Sequence, residues 1–392
     1  MKIFYKSIIL FWIILLFLSC NSIDDLSKGE KLIYKYEKHK NNRVASLIMD
    51  DNQYNEWVKN YEFRNDDEKL KELIKDIYKV FPNEYDIILL IINEDSLLSS
   101  FEANGIKIKA SNKSISNKIQ GIGMSLRGGP VRFDRGYQYG SGMHMLKNII
   151  HQNTNVSFKD GPMLHELMHN WANYCIKSEG LYEAGSNLTS FPIGKYIYDS
   201  NNVLIGGAAH WGFTGGNICG HLGGFKQSSL EDLGNNTYRV DRFSMHNNTY
   251  SNSGILRAGT PYNELELYLA GMIPIDSVKD FDVFKKITSL KLKGSKFEFV
   301  SSSRTTYSTE SLLDSLGKRI PDFKTSQKHF KMLEIIITNK PLTEDEWEVF
   351  DKDAEWFAYK GSDENLVGND FHKLMYNFYE ATKGKGSITI GY

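Results

Sequence analysis

Apolar and polar positions follow two different periods along this chain, and the change from one to the other outlines its elements. Residues 67 to 80, DEKLKELIKDIYKV, carry Leu70, Leu73, Ile74 and Ile77 at helical spacing with charged residues elsewhere, which predicts an amphipathic helix. Tyr85 to Ile92 is instead an unbroken apolar run behind Pro82-Asn83, the pattern of a strand covered on both faces. A helix followed by a central strand predicts helices layered on a sheet.

Met145 to His151 reads as another strand, and it leads into the stretch GPMLHELMHNWANY. Here Leu164, Leu167, Met168, Trp171 and Cys175 form a helical apolar stripe, and Asp160, Gly161 and Pro162 supply a helix start. Farther along, a helix is expected from Tyr262 to Gly271, a strand from Phe330 to Thr338, and a helix from Asp370 to Thr382. A further helix opens near Leu342, with Thr343 as its cap and Glu346 in the capping-box position. Residues 201 to 260, rich in glycine and asparagine without a period, predict long loops. The glycines of residues 120 to 142 predict turns and bulges, since no lysine follows a G-x-x-x-x-G there and a phosphate loop is excluded.

Composition sets the scale. With 392 residues, 41% hydrophobic and 24% charged, the chain can bury a large core, as one big domain or one domain with an appended lobe. The net charge of -1 and the absence of a long single-sign run leave no electrostatic footprint for nucleic acid.

The first twenty residues differ from the rest. A basic start, an apolar run from Ser7 to Leu18 and then Ser19-Cys20 make the order of a secretory signal. The run, about 12 residues, is short of the roughly 20 that span a bilayer. The segment also resembles a bacterial lipoprotein signal, which implies cleavage before Cys20, a lipid anchor on that cysteine and a place in the cell envelope of an exported protein. Cys175 and Cys219 then remain, neither in a C-x-x-C pattern, and are expected to be buried thiols.

The chemistry centres on His165-Glu166-Leu167-Met168-His169. Histidines four apart on a helix lie on one face and can share one ion. A zinc ion held by two imidazoles needs a third protein ligand and keeps one position for water, whose pKa it lowers towards about 7. Glu166, about 100° round the helix from His165, can serve that water as general base. A histidine pair and a carboxylate on an otherwise apolar helix are costly without such a purpose.

Three residues could complete the set: Glu183 in LYEA, His210 in AHWG, and Glu266 in YNELELY on the predicted helix. Asn170 to Cys175 lacks the H-x-x-G-x-x-H extension, which disfavours a metzincin arrangement. A glutamate from a second helix fits better.

The ordered blocks GPMLHELMHNWANY, AAHWGF, LEDLGNNTYRV, YNELELYLAGMIP and FYEATKGKG resemble a group of largely uncharacterised, secreted bacterial zinc metalloproteases of gluzincin-like zincin type. The resemblance implies His165 and His169 as zinc ligands, Glu166 as base, and recurring positions at His210, Trp211, Glu266, Tyr268 and Gly271. Glu266 is taken as third ligand, with His210 and then Glu183 as alternatives. With Glu266 on the metal, His210 would donate a hydrogen bond to the oxyanion of the tetrahedral intermediate. Tyr262 and Tyr268 could do the same, although each reads first as a core tyrosine, and His144, His151, His221 and His246 as structural or surface histidines.

The expected fold is α+β, a zincin-like metalloprotease domain of mixed sheet and active-site helix with a C-terminal α/β lobe. Its divisions are a lipoprotein signal over 1–20, a tether over 21–35, a catalytic domain over 36–280 and the lobe over 281–392 packed on it. The expected activity is zinc-dependent hydrolysis of protein or peptide substrates at a bacterial membrane. The alternatives are a non-catalytic binding lipoprotein on the same scaffold and a zinc hydrolase of glycoprotein or peptidoglycan.

Overall fold

A computed structural model describes residues 31–59, 67–82, 84–93, 111–114, 131–133, 138–139, 144–150, 163–172, 196–198, 204–207, 211, 215, 219–241, 261–361 and 376–392. The signal segment, Cys20, Cys175, Glu183 and His210 lie outside these residues, as do His151 and His246. No helix among the described residues is long and apolar enough to cross a membrane.

The fold is α+β. Its main sheet has seven strands among the described residues: β1 (Lys35–Lys38), β2 (Val44–Ile48), β3 (Ile87–Asn93), β4 (Ser111–Ser114), β7 (His144–Ile150), β15 (His329–Thr338) and β16 (Ser387–Ile390). The remaining strands are β5 (Val131–Phe133), β6 (Gln138–Tyr139), β8 (Tyr196–Tyr198), β9 (Leu204–Gly207), β10 (Glu231–Gly234), β11 (Thr237–Asp241), β12 (Phe281–Lys293), β13 (Lys296–Tyr307) and β14 (Arg319–Ile320). The helices are α1 (Asp51–Lys59), α2 (Asp67–Ile77), α3 (Met163–Ala172), α4 (Glu264–Leu269), α5 (Thr309–Leu316), α6 (Glu344–Ala358) and α7 (Phe378–Ala381).

The sheet runs β1-β2-β15-β3-β7-β4, parallel through its centre and antiparallel at both ends. Central parallel strands are covered on both faces, which is why β3 is an unbroken apolar run, buried along its length. Its even-numbered residues Ile88, Leu90 and Ile92 face Leu73, Ile74 and Ile77 of α2 in one core. Its odd-numbered residues Ile87, Leu89 and Ile91 join the core that holds α3, α4 and α6. The histidine helix is thereby packed on one face of the sheet.

Within 281–392, β15 supplies a central strand of the main sheet, between β2 and β3 and parallel with both. Sheet pairing joins strands by backbone bonds, and sequence distance places no limit on it. One expectation is corrected: the stretch 201–260 is not all loop, because β10 and β11 form a hairpin through Asn235 and Asn236, with φ of 51° and 60°. Asparagine tolerates this left-handed backbone, so the Asn-Asn pair was a turn signal inside an apparently patternless stretch.

That hairpin continues into β13 and β12, a second sheet whose core is aromatic: Phe225, Tyr238, Phe284, Phe297 and Phe299. In the C-terminal part, Thr343 caps α6 with Glu346 in a capping box, as expected. The predicted helix over 370–382 is described only as α7, since residues 362–375 lie outside the described residues.

Candidate metal centre

Helix α3 carries the H-E-x-x-H motif. Met163, Leu164, Leu167, Met168 and Trp171 are all buried, and the Trp171 ring meets Phe330 of β15 with centroids 5.4 Å apart. The expected apolar stripe therefore anchors the helix. Glu166 and His169 sit on α3, and their side chains lie outside what the structure describes.

His165 is 1% exposed, and its Nδ1 is 2.5 Å from the backbone oxygen of His221. A carbonyl oxygen only accepts, so Nδ1 is the nitrogen that bears the hydrogen. In the neutral ring the lone pair is then on Nε2. Metal-bound histidines are commonly held this way, with the second ring nitrogen donating to a carbonyl or carboxylate that sets the tautomer. The His165 ring thus fits a zinc ligand through Nε2.

The His221 carbonyl belongs to a tight turn. Gly220 and Gly223 pair across it through both backbone bonds, at 3.0 and 3.3 Å, leaving His221 and Leu222 at its tip. Gly223 takes φ of 111°, a backbone that a side chain would strain. The Leu222 oxygen accepts from the backbone amide of Trp211 at 2.7 Å, which ties Trp211 to the same turn. The His221 ring packs edge-on against Tyr262, with centroids 5.0 Å apart.

Glu266 supports this turn from below. It is fully buried at the third position of α4, where its Oε2 accepts from the Asn263 backbone amide at 3.0 Å and the Asn263 side chain caps the Glu266 amide. This is a complete capping box. Its Oε1 accepts from the backbone amide of Leu222 at 3.0 Å. Burial pushes the carboxyl up to about 7, against the pull of backbone amides from Asn263, Leu222 and His221.

Gly220 is required here by close approach. A Cβ at this position would lie 2.5 Å from Glu266 Oε2 and 2.7 Å from its Cδ. The turn and the carboxylate are in backbone contact.

Tyr262, just before α4, is buried and donates its hydroxyl to the Leu164 backbone oxygen at 2.7 Å. Its single proton is committed to the helix and is not available to a reaction intermediate. Tyr268 is buried as a core residue.

Of the expected site residues, the structure brings His165 and Glu266 onto one peptide group at the tip of the turn, His165 at its carbonyl and Glu266 at its amide. Among the described residues, no group of three or more His, Cys, Asp or Glu is disposed to hold a metal. Two contributions escaped the sequence: the His221 carbonyl, which carries no residue-type signal, and the capping role of Glu266. The second was legible, because Asn263-x-x-Glu266 is a capping-box pattern.

No family model, curated protein or solved structure matches this chain.

Proposed function

We propose that this protein is an exported zinc metalloendopeptidase of zincin type, lipid-anchored through Cys20 to a bacterial envelope. The observation that supports the reading is the His165 ring, held by a backbone carbonyl in the tautomer that puts the ligand lone pair on Nε2, within an H-E-x-x-H helix. His165 and His169 hold the ion, and the third protein ligand comes from Glu266 or His210.

A bound zinc would supply Lewis-acid polarisation of the scissile carbonyl. Glu166, offset by one residue from the first histidine, takes a proton from the attacking water and passes it to the leaving amine. Substrates are proteins or peptides, and neither a nucleic acid nor an organic cofactor enters the reaction.

Glu166→Gln tests the assignment. The variant is expected to bind zinc with wild-type stoichiometry and to lose peptide hydrolysis by about 100-fold or more, the scale of a general base. Wild-type turnover in that variant would remove Glu166 from the mechanism, and a wild-type protein that takes up no zinc would remove the metal.

A further inference from the structure

Glu266 was expected on the metal, yet its carboxylate is already engaged by the protein. A carboxylate offers about four lone-pair sites. Backbone amides of Asn263 and Leu222 donate to those of Glu266, and Gly220 is packed against Oε2. These partners join three pieces of chain: the start of α4, the 220–223 turn, and through the His221 oxygen the ring of His165.

We infer that Glu266 is a positioning residue, not a zinc ligand: its carboxylate holds the His221-Leu222 backbone in place so that the His221 carbonyl can orient His165. The inference rests on the zinc-site reading for His165. It removes Glu266 from the third-ligand position and leaves His210 and Glu183, the other donors weighed for it. The chain of bonds is short and directional. Glu266 accepts from the Leu222 amide, and the carbonyl of the same peptide group, that of His221, accepts from the imidazole.

Glutamine at position 266 is the informative change, because its amide group is a donor. Either the Asn263 or the Leu222 N–H would then face an NH2 group, so one of the two bonds that hold this side chain between α4 and the turn is lost. Gly220→Ala perturbs the same contact while keeping the carboxylate, through a Cβ pressed on the Asn263 side-chain amide and on Glu266 Oε2.

The test uses the full mature chain, with nitrogen-15 label, zinc-free and then loaded with zinc or cobalt. In the zinc-free wild type, long-range proton–nitrogen spectra are expected to show His165 with its hydrogen on Nδ1. In Glu266→Gln that ring should become a mixture of tautomers, and Gly220→Ala should shift it in the same direction. Zinc affinity should fall by about 10- to 100-fold in Glu266→Gln, the usual loss for an outer-shell partner. The cobalt absorption bands should keep their wild-type positions, because the ligand set is unchanged.

The opposite pattern overturns the inference: a wild-type tautomer in zinc-free Glu266→Gln together with altered cobalt bands would make Glu266 a ligand. If Glu266→Gln fails to fold, Gly220→Ala decides alone, and an unshifted His165 ring in it overturns the inference. A wild-type chain that binds neither zinc nor cobalt refutes the metalloprotease reading. The zinc-free tautomer then still decides the positioning role.

Discussion

The Tyr262 hydroxyl donates to the backbone oxygen of Leu164, so the residue before the first histidine of the motif is tied to the start of α4. Together with the His165–His221 bond, it gives α3 two polar attachments to the segment around the candidate site. Their consequences differ. One attaches the helix backbone, and the other sets the direction of an imidazole ring.

Tyr262→Phe should therefore lower stability without disturbing the ring. The Leu164 oxygen keeps its helical partner, so the cost is that of one buried hydrogen bond, about 0.5 to 1.5 kcal/mol. Urea unfolding measures the loss, and the zinc-free nitrogen spectrum should still show His165 with its hydrogen on Nδ1. A lost tautomer in this variant would place the orienting role on Tyr262 instead of the 220–223 turn.

Removing zinc should abolish hydrolysis, and readdition should restore it. Binding to the folded state also stabilises it, by about 2.7 kcal/mol when free zinc is 100 times its dissociation constant. Thermal unfolding with and without a chelator measures this. Equal midpoints under the two conditions would contradict a zinc site in the folded chain.

Gly271→Ala should destabilise the end of α4. Gly271 has φ of +77°, and an added Cβ would lie 2.4 Å from Ser326 Oγ and 2.6 Å from the Arg319 guanidinium. Arg319 is buried and donates from Nε to the Leu269 oxygen at 2.9 Å, so the clash falls on the group that satisfies the helix terminus. The left-handed backbone alone costs roughly 1 kcal/mol with alanine, and the crowding adds to it. A denaturation midpoint equal to that of the wild type would show that the segment relaxes freely.

Glu334 should make stability fall as pH rises. It lies on β15 fully buried, and neither carboxyl oxygen meets a hydrogen-bond partner among the described residues. Asp351 and Asp353 of α6 face it, while Arg43, His39 and Asn41 from the β1–β2 connection engage Asp351. Burial, and then the two aspartates, push the Glu334 carboxyl well above its ordinary value. The fold holds a proton that the unfolded chain releases above about pH 4.3. The stabilisation is complete below that value and is lost as pH rises through the raised one. Glu334→Gln mimics the protonated form, so the wild type should lose stability relative to this variant between pH 4 and pH 8. Urea titrations that run parallel for both proteins across that range would rule this out.

Much of the architecture was legible in the chain because its causes are local. The β3 run announced a doubly covered strand, Thr343 and Glu346 announced the start of α6, and the stripe from Leu164 to Trp171 announced the face by which α3 is packed. Each signal spans a turn or two of backbone, so neighbouring residue types suffice to state it. The histidine motif belongs to the same class, since a spacing of four is a helical spacing.

Local residue pattern was enough to set the α+β elements, the histidine helix and its buried face. The folded chain alone shows that β15 enters the centre of the sheet and that His165 is held by a carbonyl 56 residues away. It also shows that Glu266 faces backbone amides. The physical reason is that these contacts are made with main-chain atoms, which every residue carries. Residue types mark which side chains can donate or accept, but the backbone group that meets them is chosen by the fold.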